Sequence, residues 1–202
     1  HKPSDARRVH YVPPPYLGEP CVADLKFLIT GLPRSRTAWL SLLTTGRHSY
    51  CHHEPLKHTQ SFEEYAAFWN TPAQPYIGIS DSGIAPQLGR LLDEVKPRTL
   101  IVQRNPGAVC RSLEAILGTD VDPSPYVMAS AKQLQAHLSH PLVKAIRFED
   151  LDDVAEVKKA VAWLMPGNEA PINEALFRMN VQVTQQSILD GLAVGHNHWY
   201  RH

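Results

Sequence analysis

Residues 25–40 read LKFLITGLPRSRTAWL. A short apolar run, Leu25 to Thr30, enters a tight turn at Gly31, Leu32 and Pro33. The turn carries cations and hydroxyls (Arg34, Ser35, Arg36, Thr37), and an apolar helical pattern begins at Ala38. A strand, a tight loop and a helix start make an anion site, because unpaired backbone N–H groups point outward and the helix dipole favours negative charge there. The spacing is not that of the Walker A loop, which needs G-x-x-x-x-G-K-[ST]. Gly31 is followed five residues later by Arg36 and then Thr37, with no Gly-Lys pair. Ordinary ATP or GTP hydrolysis is therefore disfavoured.

The surrounding chain alternates strand and helix. Strands are expected near Leu25–Thr30, Ser49–His52, Tyr76–Ser80, Thr99–Gln103 and Leu142–Phe148. Helices are expected near Thr37–Thr45, Ser61–Trp69, Ile84–Val95, Pro106–Leu117, Pro125–Leu138 and Val154–Leu164. Ser61 with Glu64 spells a capping box, and Pro106 suits the first turn of a helix. This order implies an α/β fold with a central parallel sheet covered by helices on both faces, three layers in all. Residues 1–24, with Pro3, Pro13, Pro14, Pro15 and Pro20, read as an extended arm; 25–202 reads as one α/β domain.

Composition narrows the function. The chain has 202 residues, enough for one domain with a substantial core. Lys and Arg number 20 and so do Asp and Glu, so no global cationic field points to nucleic acid. No apolar run is long enough to span a bilayer. Cys21, Cys51 and Cys110 are odd in number and widely spaced, which fits free thiols and a reducing, cytoplasmic compartment. An upstream targeting segment is left open by a chain that begins at His1.

A second anion motif follows the strand at Thr99: Arg104-Asn105-Pro106-Gly107-Ala108-Val109-Cys110-Arg111-Ser112. Arg104 stands at a strand's carboxyl end, where open α/β sheets bind ligands. Its planar fork suits phosphate oxygens.

These stretches resemble sulfotransferases that use 3′-phosphoadenosine 5′-phosphosulfate (PAPS). Pro33-Arg34-Ser35-Arg36-Thr37-Ala38-Trp39-Leu40 is similar to that family's 5′-phosphosulfate loop, P-[KR]-S-G-T-T-W-L, with Arg36 in place of Gly and Ala38 in place of a hydroxyl residue. Arg104 to Ser112 resembles its 3′-phosphate motif, R-[DN]-P-x-x-x-x-x-S. Glu54-Pro55-Leu56 resembles the E-P-L segment of carbohydrate-type members. Arg147-Phe148-Glu149-Asp150-Leu151 resembles R-[YF]-E-D-L, read here as structural, with the acidic pair capping the next helix. The matches fall in family order over roughly residues 25 to 165.

The resemblance implies sulfuryl transfer from PAPS to a hydroxyl of a sugar or small metabolite, with no metal. Arg34 would neutralise charge on the leaving oxygen. Ser35 and Thr37 would donate to the 5′-phosphate, and Trp39 takes the position that lies against adenine, although its spacing with Leu42 and Leu43 equally fits core packing. Arg104 and Ser112 would hold the 3′-phosphate. Glu54 is the first candidate for the base that takes the acceptor proton, His53 and His52 the second, and Asp81 the third. Cytosolic members of the family use a His after this strand, where this chain has Ser80-Asp81-Ser82 and no basic residue. Arg36 reads as a solvated side chain or an acceptor contact.

Other readings stand beside these. A catalytically degenerate member that binds nucleotide or a partner would account for Arg36, Ala38 and the missing basic residue. A small nucleotide or nucleoside kinase is weaker, lacking the Gly-Lys pair. Cys51, His52, His53 and His58 suggest zinc, but neighbouring strand residues point to opposite faces and do not share one ion. His196, His198 and His202 read as a polar end, and Gly195–Arg201 is a faint echo of the family's nucleotide clamp. Acceptor walls are expected over 55–75 and 118–140, with Phe62, Tyr65, Phe68, Trp69 and Tyr126.

Overall fold

The computed structural model describes residues 25–70, 74–118, 120–168, 171, 172 and 177. The arm over 1–24, the segment Gly195–Arg201 and the three terminal histidines lie outside the described residues. Among those residues, β1 (Leu25–Gly31) leads to α1 (Thr37–Leu43), β2 (Ser49–His53) and α2 (Phe62–Ala67). Next come β3 (Tyr76–Ser80), α3 (Leu88–Glu94), β4 (Arg98–Gln103), α4 (Pro106–Leu117), α5 (Ser124–Ala136), β5 (Val143–Arg147) and α6 (Val154–Leu164). The strands are all parallel, in the order β2-β3-β1-β4-β5.

β1 therefore sits at the centre of the sheet. Apart from Thr30, whose hydroxyl donates to the Asp81 carbonyl, its buried side chains are apolar on both faces. Leu28 joins a core with α2, α3, α4 and α5, through residues such as Tyr65, Leu88, Val109 and Leu134. Phe27 and Ile29 join the opposite core with Trp39, Leu40 and Leu43 of α1 and Val157, Val161 and Leu164 of α6. A strand buried on both faces is the signature of a helix-covered parallel sheet. The expected three-layer architecture is the one found.

Three local expectations are corrected. Ser61 Oγ accepts from Glu64 N at 3.1 Å, but the Glu64 carboxylate reaches Gln60 N at 2.7 Å rather than the cap's own N–H. The stretch expected as one helix from Ile84 begins as a 3₁₀ turn, Ala85–Gln87, and α-helix starts only at Leu88. Pro86 cannot donate a backbone hydrogen bond inside a continuing helix. The cap of α6 is Asp153, whose Oδ1 accepts from Ala155 N at 2.8 Å, and not the Glu149-Asp150 pair. Asp150 instead forms a two-pronged pair with Arg147 at 2.8 and 2.6 Å.

Two glycines are required by close approach. A Cβ on Gly31 would lie 2.8 Å from the Val102 carbonyl of β4. A Cβ on Gly78 would lie 2.0 Å from the Phe27 ring, which spreads across the sheet at that point. Gly78→Ala is expected to lower stability by at least ~1–3 kcal/mol through overpacking. The readout is a lower urea midpoint; an unchanged midpoint would contradict the position of Phe27.

Candidate functional site

The carboxyl ends of β1 and β4 lie side by side, with Gly31 in register with Val102. The loop after β1 and the start of α4 therefore face each other. Arg34 Nε donates to Ser112 Oγ at 3.2 Å. An Arg104 guanidinium N–H donates to the Arg34 carbonyl. The two anion motifs, 70 residues apart in sequence between Arg34 and Arg104, are thus a single bonded unit. Asn105 steadies it by capping α4, its Oδ1 accepting from Ala108 N at 3.1 Å.

The loop is strained. Arg34 and Arg36 have φ of 65° and 60°, and Glu54, across the sheet, has φ of 48°. These are three of the four non-glycine residues with positive φ among the described residues. The left-handed conformation costs an L-residue about 1–2 kcal/mol, and such strain collects at working sites. In Arg36 it turns the side chain outward, where a guanidinium nitrogen sits 2.6 Å from Asp152 Oδ1. The bulk of the Arg36 side chain thus lies on the outside of the loop.

The interior of the loop holds a polar group whose hydrogen-bonding capacity is unmet among the described residues. Ser35 is fully buried, and among the described residues its Oγ has no hydrogen-bond partner. A buried unpaired hydroxyl costs free energy and calls for a partner. Arg104 is held below the ordinary guanidinium range by burial first, then by the nearby charge of Arg34, with Arg36 adding to it and Glu149 opposing. An anion here would both accept from Ser35 and relieve the repulsion among the arginines. The residues present fit a phosphate. Thr37, 6% exposed, opens α1, and its carbonyl accepts from Ser80 Oγ at 2.8 Å. Pro33 and Ala38 are half-buried flanks of the loop. Trp39 is 4% exposed and packs in the core, edge-on to Phe177 at 5.3 Å. Its burial places the indole under α1 rather than along an open wall.

The ends of β2 and β3 carry the carboxylates. Glu54 N donates to the Ser80 carbonyl at 2.8 Å. Together with the Ser80–Thr37 bond, this leaves Glu54 two hydrogen bonds from the first residue of α1. Glu54 pairs with Lys57, and His53 Nε2 lies 3.9 Å from its Oε1. Desolvation lowers His53 below the ordinary imidazole value, while the Glu54 charge pulls it back up. His52 is on the other side of β2, edge-on to Tyr50 and Phe68, and burial pushes its pKa down to about 4. Cys51 faces the opposite core and is pushed up to about 12 by burial. Among the described residues no group of three or more His, Cys, Asp and Glu side chains is placed to hold a metal ion.

Asp81 is 2% exposed. Its Oδ2 accepts from Leu56 N at 3.1 Å and its Oδ1 from Gly83 N at 2.9 Å. Both oxygens are occupied in tying the Glu54-Pro55-Leu56 turn to the end of β3. Burial raises its pKa from 3.8 to about 7, and the Glu54 charge adds to the rise.

Sequence reasoning missed three contributors. Phe148 is a platform, with the Arg104 guanidinium carbon 4.0 Å and that of Arg36 5.8 Å from its ring centre. Lys57 is the cation beside Glu54, signalled only by its three-residue spacing. Asp152 is the partner of Arg36, more than a hundred residues away in sequence. Of the expected acceptor aromatics, Phe62, Tyr65 and Trp69 are core side chains at 5% exposure or less, and Trp69 Nε1 donates to the Phe27 carbonyl at 2.9 Å. Among the described residues no helix is long and apolar enough to cross a membrane.

The fold has solved counterparts. A sulfotransferase from Alicyclobacillus acidocaldarius superposes with a TM-score of 0.60 at 17% identity, over 85% of this chain and 92% of that one. Mouse sulfotransferase SULT7A1 complexed with PAP superposes with a TM-score of 0.50 at 10% identity, over 85% of this chain and 65% of the mouse protein. No family model matches the chain, and a search of curated protein sequences finds no significant match. The chain has the sulfotransferase fold.

The raised Asp81 pKa has a measurable sign. Below about pH 3.8 both folded and unfolded states hold the proton and burial carries no ionisation cost. As pH rises, the unfolded chain releases its proton first, so stability falls until the folded group titrates near pH 7. The stability of the wild type relative to Asp81→Asn is expected to fall between pH 4 and 7, by ~1.4 kcal/mol per unit of pKa difference. Urea titrations of both proteins at matched pH check this; a pH-independent difference would contradict it.

Proposed function

We propose that the chain transfers a sulfuryl group from PAPS to a hydroxyl acceptor. The observation that carries this is the bonded unit of Arg34, Ser112 and Arg104 beside the buried, unpartnered Ser35 hydroxyl. It offers two neighbouring anion subsites on one side of the sheet. The mouse protein of the same fold was solved with PAP, a nucleotide with separate 3′- and 5′-phosphates. Ser35, Thr37 and the loop N–H groups suit the 5′-phosphate, and Arg104 with Ser112 suits the 3′-phosphate. That second site separates PAPS from ATP, which has no 3′-phosphate.

When bound, PAPS supplies the sulfuryl group. The acceptor oxygen forms a bond to sulfur as the bond from sulfur to the 5′-phosphate oxygen breaks. Arg34 and the loop N–H groups stabilise the negative charge that collects on that oxygen. Glu54 takes the acceptor proton. Its place at the end of β2, its strained backbone and its two hydrogen-bond links to Thr37 support this role. Lys57 brings a cation to the region where Ser80-Asp81-Ser82 provides none. Asp81, with both oxygens taken by backbone N–H groups, holds the turn that carries Glu54. In such transfer, positioning and charge stabilisation outweigh covalent help. The acceptor is a sugar or small metabolite hydroxyl.

Calorimetry should show adenosine 3′,5′-bisphosphate binding at least ~100-fold more tightly than ATP or AMP, since a buried phosphate pair lost leaves a cation unpaired. Arg104→Ala should remove that preference, weakening the bisphosphate more than it weakens AMP. Equal affinities in the wild type would refute the two-phosphate site. Transfer of labelled sulfate from PAPS to an acceptor in a mixed extract, reduced at least ~100-fold by Glu54→Gln, distinguishes turnover from binding alone.

A further inference from the structure

We propose that Arg36 is an exchangeable third cation of the anion site, and that Asp152 is its internal competitor, surrendering Arg36 when phosphate binds. This rests on the nucleotide-binding reading above and extends it to a pair of residues outside the family pattern. Arg36 occupies the loop position between Ser35 and Thr37. Its guanidinium lies over the Phe148 ring at 5.8 Å, on the same aromatic platform that Arg104 covers at 4.0 Å. It also lies 5.4 Å from the Trp39 ring centre. Its charge is near enough to Arg104 to help depress that guanidinium's basicity.

The bond that holds Arg36 is easily exchanged. Its carboxylate partner, Asp152, is 79% exposed, and the Arg36 side chain is 41% exposed. An ion pair so open to water contributes ~0–1 kcal/mol. A phosphate carries more charge and more acceptor oxygens than one carboxylate, and an arginine fork matches it. Asp152 ends the 3₁₀ turn Phe148–Asp152 that also supplies the aromatic platform. The same turn therefore steadies Arg104 through Phe148 and restrains Arg36 through Asp152. The expected consequence is coupling: removing Asp152 frees Arg36 for the ligand, and the gain disappears when Arg36 is absent.

The test is a double-mutant cycle on adenosine 3′,5′-bisphosphate affinity, read by calorimetry with Arg36→Gly, Asp152→Asn and the double variant. Glycine suits the left-handed φ of 60° at position 36, so the variant should fold, as thermal melting without ligand would verify. Arg36→Gly should weaken binding about tenfold, and Asp152→Asn should tighten it up to about fivefold, in keeping with an exposed pair. The double variant should bind as Arg36→Gly does. If the wild type binds the bisphosphate but Arg36→Gly leaves its affinity unchanged, the proposal fails and the nucleotide reading stands. The proposal fails in the same way if the Asp152→Asn gain persists without Arg36. If the wild type does not bind the bisphosphate at all, both fail.

Discussion

The hydrogen bond from the Arg104 guanidinium to the Arg34 carbonyl is the contact on which the site depends. It fastens the loop after β1 to the loop after β4. That is possible only because those strands are neighbours at the centre of a parallel sheet, and because Gly31 lets the Val102 carbonyl approach. The bond holds like charges close together. Arg34, Arg36 and Arg104 repel one another, and burial makes the repulsion stronger. Hydrogen bonding to Ser112, the Phe148 face under Arg104 and the outward pairing of Arg36 offset it. What results is a preorganised concentration of positive charge, arranged before any ligand arrives.

The other half of the site has the opposite sign. Glu54 and Asp81 stand at the ends of β2 and β3, with Lys57 moderating them. The two carboxylates are differently employed. Asp81 is buried and committed to two backbone N–H groups, so it fixes geometry. Glu54 stays partly open at the end of β2, its backbone strained and its carboxylate beside the His53 and Lys57 side chains. Across the top of one sheet the chain thus sets cations at the ends of β1 and β4 and carboxylates at the ends of β2 and β3. The proposed transfer would draw on that polarity.

Much of this is legible in the sequence, for physical reasons. The run LKFLITGLPRSRTAWL announces a strand, a tight turn and a helix because local sterics and hydrophobic period dominate there. Pro106 and the apolar period of Val154–Leu164 mark helices whose observed bounds are the expected ones. Pairings between distant segments are not legible in the same way. Nothing near Arg36 in sequence points to Asp152, and nothing near Arg104 points to Phe148 as its platform. Trp39 shows the converse difficulty. Its motif position suggests a ligand contact, its helical spacing equally fits the core, and in the fold the indole is buried in the core, edge-on to Phe177. Asp81 reads in the sequence as a third candidate base, and only the fold shows that its two oxygens accept from Leu56 N and Gly83 N.

The most direct measurement is a crystal structure of the chain with adenosine 3′,5′-bisphosphate. The expected result is a 5′-phosphate accepting from the Ser35 hydroxyl and the loop N–H groups, with the 3′-phosphate on Arg104 and Ser112. A nucleotide bound elsewhere, or one that leaves the Ser35 hydroxyl unbonded, would contradict the joined two-loop site.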